Sequence, residues 1–170
     1  MPAKDMPAKD MKTRRKRNER GGASIAEFGP ALGLILICIF FPLVDMLAMG
    51  VSYGLCMVLN YNQVHEAALL PSSEALSNAG PIKKGIPDQW LNGMGHFVNM
   101  SGYPSTVISY RNGQTDATLN QDKIVTVSTT VVCNPFLPIP LPVINVPGLN
   151  GPMSFTVTSE SQMENPDHVQ

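Results

Sequence analysis

The first feature of the sequence is a long apolar segment close to the N-terminus. No charged residue occurs over positions 31–44, and apolar residues then predominate as far as Leu59. At about 1.5 Å per residue, a helix over residues 23–44 would be about 33 Å long, which matches the roughly 30 Å hydrocarbon core of a bilayer. The pattern predicts one helix over residues 23–70 that spans a membrane in its first half and projects beyond it until Pro71 stops it.

Four residues interrupt this apolar segment. Pro30 and Pro42 each remove a backbone donor, so we expect a bend at one or both. Asp45 is expected at the outer membrane interface, a depth that a carboxylate tolerates. Glu27 lies inside the segment, and because a lone carboxylate in hydrocarbon is costly, an intramembrane acid indicates a function.

Farther along the chain the apolar residues recur with a period of two, which is typical of β-strands. Residues 107–110 and 153–159 each predict a strand, the latter burying Phe155 and Val157, and Asn112-Gly113 predicts a two-residue hairpin turn. Residues 124–133 predict a further strand with one buried face, formed by Val125, Val127, Thr129, Val131 and Cys133.

Two segments complete the predicted outer domain. Asp88 is expected to cap a short helix, and apolar residues at helical spacing follow it, namely Trp90, Leu91, Met94, Phe97 and Val98. Residues 134–152 are rich in proline, so they predict an extended loop over the sheet and not an internal strand.

These elements predict an α+β fold, with one long N-terminal membrane-spanning helix followed by a small antiparallel β-sheet domain. The expected parts are a basic leader over residues 1–22, the long helix over residues 23–70, and an extracytoplasmic domain over residues 71–170. That domain should contain short helices and three or four strands. Because so small a sheet needs cover, we expect the projecting part of the helix to pack against it.

The charge distribution predicts the orientation in the membrane. Residues 1–22 contain eight basic and three acidic residues, a net charge of +5, whereas residues 23–170 contain four basic and ten acidic residues, a net charge of -6. A basic run beside an apolar segment stays on the cytoplasmic side. We therefore expect a single-pass protein of the cytoplasmic (inner) membrane with its N-terminus inside, its C-terminus outside, and no nucleic-acid partner.

The chemistry-bearing residues do not predict an enzyme. Residues 50–54 match the G-x-S-x-G pattern of serine hydrolases, but that chemistry requires a strand-to-helix turn and not an apolar helix. No metal-ligand spacing or cofactor motif is evident around the isolated histidines, and Cys133 is expected to be a buried apolar side chain without a partner. The remaining candidate sites are two G-x-x-x-G pairs that would allow close approach of another helix, formed by Gly29, Gly33, Gly50 and Gly54.

The most specific motif precedes the apolar helix. Arg14-Arg15-Lys16-Arg17 is followed by Gly21-Gly22-Ala23-Ser24-Ile25-Ala26-Glu27-Phe28. This motif resembles the leader of type IV-like prepilins, especially the TadE-like minor pseudopilins of tight-adherence (Tad) pili.

The resemblance implies that a prepilin peptidase cuts between Gly22 and Ala23, which makes Glu27 the fifth residue of the mature chain. Its carboxylate could then pair with the free amine of Ala23 on the same or a neighbouring subunit and set the axial register. The implied partners are the membrane, the prepilin peptidase, other pilins or pseudopilins, and the pilus secretion machinery. The implied function is support of Tad pilus biogenesis or assembly.

Two other interpretations stay open. The first is a signal-anchor membrane protein whose extracytoplasmic domain binds a partner. The second is a secreted protein whose export signal is removed near Ala48-Met49-Gly50. Asp45 and the apolar residues up to Leu59 disfavour the second, because export cleavage sites follow the apolar core and open into polar sequence.

Overall fold

The computed structural model describes residues 28–115, 121–138 and 145–164, which form an α+β fold. A long apolar helix is followed by a three-stranded antiparallel sheet. The chain divides into two compact units between Pro42 and Leu43. The first contains the beginning of the helix, and the second contains the rest of the helix and the whole sheet. The predicted fold class is therefore confirmed.

The long helix, α1, covers Phe28–Leu69 in the described residues and ends two residues before Pro71. It contains a π-helical turn at Leu36–Phe40, in which the N–H of Phe41 donates to the carbonyl of Leu36. This turn stands directly before Pro42, whose ring crowds the carbonyl four residues earlier and whose nitrogen cannot donate. A wider turn makes room for the ring, so the expected interruption at Pro42 takes the form of a π turn.

The sheet consists of β1 (Ser105–Thr115), β2 (Gln121–Cys133) and β3 (Met153–Gln162), in the order β1-β2-β3. Both pairs are antiparallel, with Ile108 opposite Val127 and Thr129 opposite Val157. The predicted buried face of the central strand is confirmed, because its alternate residues are buried from Val125 to Cys133. Val157 is buried on β3 and Phe155 is half-buried.

The predicted hairpin turn at Asn112-Gly113 is wrong. Both residues lie within β1, where Asn112 is opposite Lys123 and the side-chain amine of Lys123 donates to Asn112 Oδ1 at 2.8 Å. A Cβ at Gly113 would lie 3.0 Å from the Cβ of Asp122. The glycine thus permits close strand contact, at a point where the register shifts between Asn112 and Thr115.

Short helices connect α1 to the sheet. Helix α2 covers Ser72–Ala75, a π-helical turn covers Pro81–Gly85, helix α3 covers Ile86–Asn92, and a 3₁₀ turn covers Met94–Phe97.

The predicted cap at Asp88 is wrong, because the Pro81–Gly85 turn runs directly into α3 and leaves no open helix end there. The Asp88 carboxylate instead accepts a hydrogen bond of 2.9 Å from the hydroxyl of Tyr103. Trp90 and Val98 are buried as predicted, whereas the 3₁₀ turn leaves two other residues of that spacing exposed, Met94 and Phe97.

The core lies between α1 and the inner face of the sheet. One cluster combines α1 with α3 and β2, and consists of Met49, Cys56, Leu59, Trp90, Val98, Val131, Cys133 and Val157. A second cluster lies farther along α1 and consists of Val64, Ala67, Ala68, Ala75, Ile82, Ile108, Val125, Val127 and Met163. Fully burying one aliphatic side chain contributes about 1.5–3 kcal/mol. The expected packing of the projecting helix against the sheet is confirmed.

Candidate membrane span and assembly surface

One helix in the described residues, Phe28–Leu69, is long and apolar enough to cross a membrane. Its most apolar 18-residue window has a mean hydropathy of 2.5 and is 11% buried within the protein. The large apolar side chains at its beginning point outward, as shown by Phe28, Leu34 and Ile39, each more than 60% exposed. Such a surface favours burial in lipid or against other apolar helices.

The four glycines predicted for helix packing all leave open space on α1. A Cβ at Gly29, Gly33, Gly50 or Gly54 would meet no atom within 4 Å outside its own helix backbone. The described chain therefore does not use these glycines for contacts of its own. A neighbouring helix could approach the backbone closely at each of them.

In the second unit, Gly50 and Gly54 lie on the side of α1 opposite the sheet. Ser52 and Cys56 are buried towards the sheet, and Gly54 stands two positions from each of them. Residues two positions apart on an α-helix point about 200° apart. Gly50, one turn before Gly54, lies on the same outward side.

Around these glycines the outward side of α1 is apolar. We call this surface the outer helix face. It consists of the exposed residues Leu47, Gly50, Val51, Gly54, Val58 and Tyr61. No charged residue occurs over positions 46–61, so the face has no ionic group to hold water.

The buried face of α1 carries two amides that sequence reasoning missed. Asn60 and Gln63 are fully buried and bind the sheet through Thr129. The Nδ2 of Asn60 donates to the Thr129 hydroxyl at 3.0 Å, and that hydroxyl donates to Oε1 of Gln63 at 2.6 Å. The Nε2 of Gln63 donates in turn to the carbonyl of Ile82 at 2.7 Å and to the hydroxyl of Thr106 at 2.9 Å. This network fixes the helix on the sheet.

A sequence signal for these amides exists. Asn60 and Gln63 stand at i and i+3, on the same helical side as Cys56, Leu59 and Val64. Amides repeated at that spacing within an apolar stripe indicate buried hydrogen bonds to a neighbouring element.

Asp45 has a partner within the protein. It is fully buried, and its Oδ1 accepts a hydrogen bond of 2.8 Å from the backbone N–H of Leu137. The structure thereby joins the residue expected at the outer membrane interface to the proline-rich loop.

The G-x-S-x-G match at residues 50–54 lies entirely within α1, without the strand-to-helix turn that exposes a catalytic serine. Ser52 is buried, and its hydroxyl donates to the carbonyl of Ala48 at 2.9 Å. It also contacts the thiol of Cys133. Within the described ranges, no three His, Cys, Asp or Glu side chains are grouped so that they could hold a metal ion.

Three of the predicted site residues, Gly22, Ala23 and Glu27, lie outside the described residues. The processing bond and the assembly carboxylate therefore stay predictions from the sequence. No protein-family model, curated protein or solved structure matches this chain.

Proposed function

We propose that the protein is a membrane-anchored assembly subunit that supports the biogenesis of a Tad-type adhesion pilus, like the TadE-like minor pseudopilins that its leader resembles. In this proposal α1 crosses the cytoplasmic membrane once, and its outer helix face packs against helices of other pilins or pseudopilins. The observation that carries the proposal is an exposed apolar helix surface longer than a bilayer is thick.

The exposed apolar residues of α1 cover a long stretch of the helix. They extend from Phe28 to Tyr61, a rise of about 50 Å at 1.5 Å per residue. The hydrocarbon core of a bilayer accounts for about 30 Å. About 20 Å of apolar helix therefore extends past the hydrocarbon core, and exposed apolar surface outside that core favours a protein partner.

The shape of this surface favours a helical partner. Gly50 and Gly54 form a shallow groove on the outer helix face, with the larger side chains of Leu47, Val51 and Val58 beside it. Small residues four positions apart let a second helix approach closely, so that dispersion contacts accumulate along both backbones. A bundle of such helices is the structural principle of a pilin-like fibre.

A graded substitution at Gly54 tests the proposal. An exposed helical glycine costs about 1 kcal/mol relative to alanine, and leucine is nearly as favourable as alanine. Both Gly54→Ala and Gly54→Leu should therefore raise the free energy of unfolding, because the added Cβ meets no atom within 4 Å. Their steric effect on a partner helix differs, since only leucine fills the groove.

The expected result is normal or slightly reduced piliation for Gly54→Ala and strongly reduced piliation for Gly54→Leu, at equal membrane levels of both chains. Surface-displayed pili are counted, and the free energy of unfolding is measured in detergent. Gly85→Ala, a glycine of the outer domain with ordinary space around it, serves as the control. Full piliation with Gly54→Leu would mean that the outer helix face does not take part in assembly.

The orientation is tested separately. The charge step between residues 1–22 and residues 23–170 supports a cytoplasmic N-terminus and an extracytoplasmic sheet domain. A reporter that is active only in the cytoplasm, fused after Gln170, should therefore stay silent. Strong reporter activity would mean that the C-terminus lies in the cytoplasm, contrary to the proposed topology.

A further inference from the structure

Two described parts of the proline-rich loop, around Leu137 and around Gly148, lie close to α1. The N–H of Leu137 donates to Asp45 Oδ1 at 2.8 Å. A Cβ at Gly148 would lie 3.7 Å from Cγ of Met49. Asp45 and Met49 are one helical turn apart, so both arms of the loop lie beside the first turns of α1 that follow the predicted span.

The positions of Asp45 and Met49 along α1 determine how far the contacted parts of this loop lie from the predicted membrane span. Asp45 comes directly after Val44, where the predicted span ends, whereas Leu69 lies about 36 Å farther along the helix. Leu137 and Gly148 therefore lie at the end of the outer domain that is closest to the membrane in the proposed topology.

Large apolar side chains are exposed at this end of the domain, beside the polar side chains of His96 and Asn99. Phe97 is 79% exposed and Phe136 is 63% exposed, and together they line one open cavity of about 630 Å³. Leu137 and Val146, also on the loop, are each 37% exposed. We call these four residues the membrane-proximal surface.

The composition of the loop suits a lipid boundary. Residues 134–152 contain no charged residue and six prolines. Each proline lacks a backbone N–H, so six of the donors that such a segment would otherwise have to satisfy away from water are absent. The carboxylate of Asp45, which contacts the loop, is buried and accepts a hydrogen bond from the N–H of Leu137.

We propose that the membrane-proximal surface inserts into the boundary between headgroups and acyl chains on the outer side of the bilayer that α1 crosses. The proposal rests on the proposed membrane span. Aromatic and aliphatic side chains on interfacial segments enter this boundary to a depth of about 5–10 Å. The anchor would then hold the sheet domain at a fixed height and tilt, with the outer helix face turned towards neighbouring subunits.

Tryptophan quenching by brominated lipid tests the insertion on the full-length chain. The protein is placed in nanodiscs of zwitterionic lipid brominated at mid-chain carbons, one chain per disc, and compared with unbrominated discs. The natural Trp90 is 5% exposed and gives the baseline. Three exposed positions each receive a tryptophan, in Phe136→Trp, Ile37→Trp and Tyr61→Trp.

The three variants have different expected depths. Ile37→Trp lies within the predicted span and should be quenched strongly. Tyr61→Trp lies about 24 Å beyond Asp45 along α1 and should stay at the baseline. For Phe136→Trp we expect at least about threefold more quenching than for Tyr61→Trp, because its ring would lie in the acyl boundary.

The outcomes separate this inference from the membrane span on which it rests. Quenching of Ile37→Trp with Phe136→Trp at the level of Tyr61→Trp would overturn the insertion and leave the span intact. No quenching at any position would overturn both. Equal quenching of all three variants, or a blue-shifted but unquenched Phe136→Trp, would also overturn the insertion, because the surface would then lie elsewhere or be covered by protein.

Discussion

The side-chain amide of Asn60 donates a hydrogen bond of 3.0 Å to the hydroxyl of Thr129, which joins helix α1 to the middle of β2. The same Nδ2 lies 3.0 Å from the carbonyl oxygen of Val127 and 3.1 Å from that of Val157. An amide NH₂ has two hydrogens, so three acceptors share them. Since Val127 and Val157 lie on neighbouring strands, one side chain connects the helix to both.

Asn60→Ala should lower the free energy of unfolding by about 2–3 kcal/mol, because the buried acceptors lose their donor and a small cavity remains. Asn62→Ala is the matched control, since Asn62 is exposed one half-turn away on the same helix. Its effect should stay within about 0.5 kcal/mol. Urea unfolding in detergent measures both. Equal stability of the two variants would mean that the amide network does not hold α1 on the sheet.

The thiols of Cys56 and Cys133 should be unreactive in the folded chain. Burial raises the pKa of Cys56 from 9.0 to about 11, with a smaller contribution from Cys133. Burial also raises the pKa of Cys133, against a lowering by the Ser52 hydroxyl. With a pKa of about 11 in place of 9.0, Cys56 has about a hundredfold less thiolate at pH 8, and the thiolate is the form that alkylates.

Mass spectrometry after treatment with iodoacetamide at pH 8 checks this expectation. Tyr61→Cys, at an exposed position on α1, should label readily, whereas Cys56 and Cys133 should label only after unfolding. Because the folded pKa of Cys56 lies above the unfolded one, its contribution to stability is complete below about pH 9 and is lost as the pH rises towards 11. If the unfolded chain labelled these two cysteines only after reduction, they would be joined by a disulfide, contrary to the free thiols described here.

Processing at the bond between Gly22 and Ala23 should shorten the chain measurably. Loss of residues 1–22, which are rich in heavy lysine and arginine residues, removes about 2.5 kDa of the 18.4 kDa chain. Intact mass spectrometry of membrane-extracted protein determines the N-terminus. A chain that remains full-length in cells with an active prepilin peptidase, or an N-terminus near Val51, would contradict the prepilin interpretation.

Glu27 should act in assembly and not in folding of the sheet domain. An unpaired carboxylate in hydrocarbon is costly, and the Ala23 amine exposed by cleavage is a suitable partner. Glu27→Ala should therefore leave the membrane level and the processing unchanged while reducing piliation. Glu66→Ala removes a half-buried carboxylate farther along α1 and is the control. Cells with this variant should display a normal number of pili. Normal piliation with Glu27→Ala would leave the carboxylate without an assembly role.

The elements with a strong local pattern were predictable from the sequence. The apolar run of α1 and the alternation along β2 each report burial directly, so the α+β class and the buried face of β2 followed from them. The prediction of a turn at Asn112-Gly113 was wrong because local turn preference competes with strand pairing. The pairing of Asn112 with Lys123 extends β1 to Thr115, past the dipeptide that usually ends a strand.

Contacts between distant parts of the chain were not predictable in the same way. Asp45 was expected at the membrane interface on its position alone, and its bond to Leu137 joins residues that are 92 positions apart in the sequence. Asn60 is polar within an apolar helix, and only the sheet shows which acceptors its side-chain NH₂ group reaches. The processing bond and Glu27 follow from the leader motif alone, because they lie outside the described residues.

The amide network also has a mechanical consequence. A slip of α1 along the sheet by one helical turn, about 5.4 Å, would carry Asn60 and Gln63 away from Thr129 at the same moment. Bonds that break together share an applied load, whereas an apolar contact alone lets one surface slide over another. A pull along α1 would therefore be resisted in shear at Thr129, and the sheet domain would move as one piece with this part of its helix.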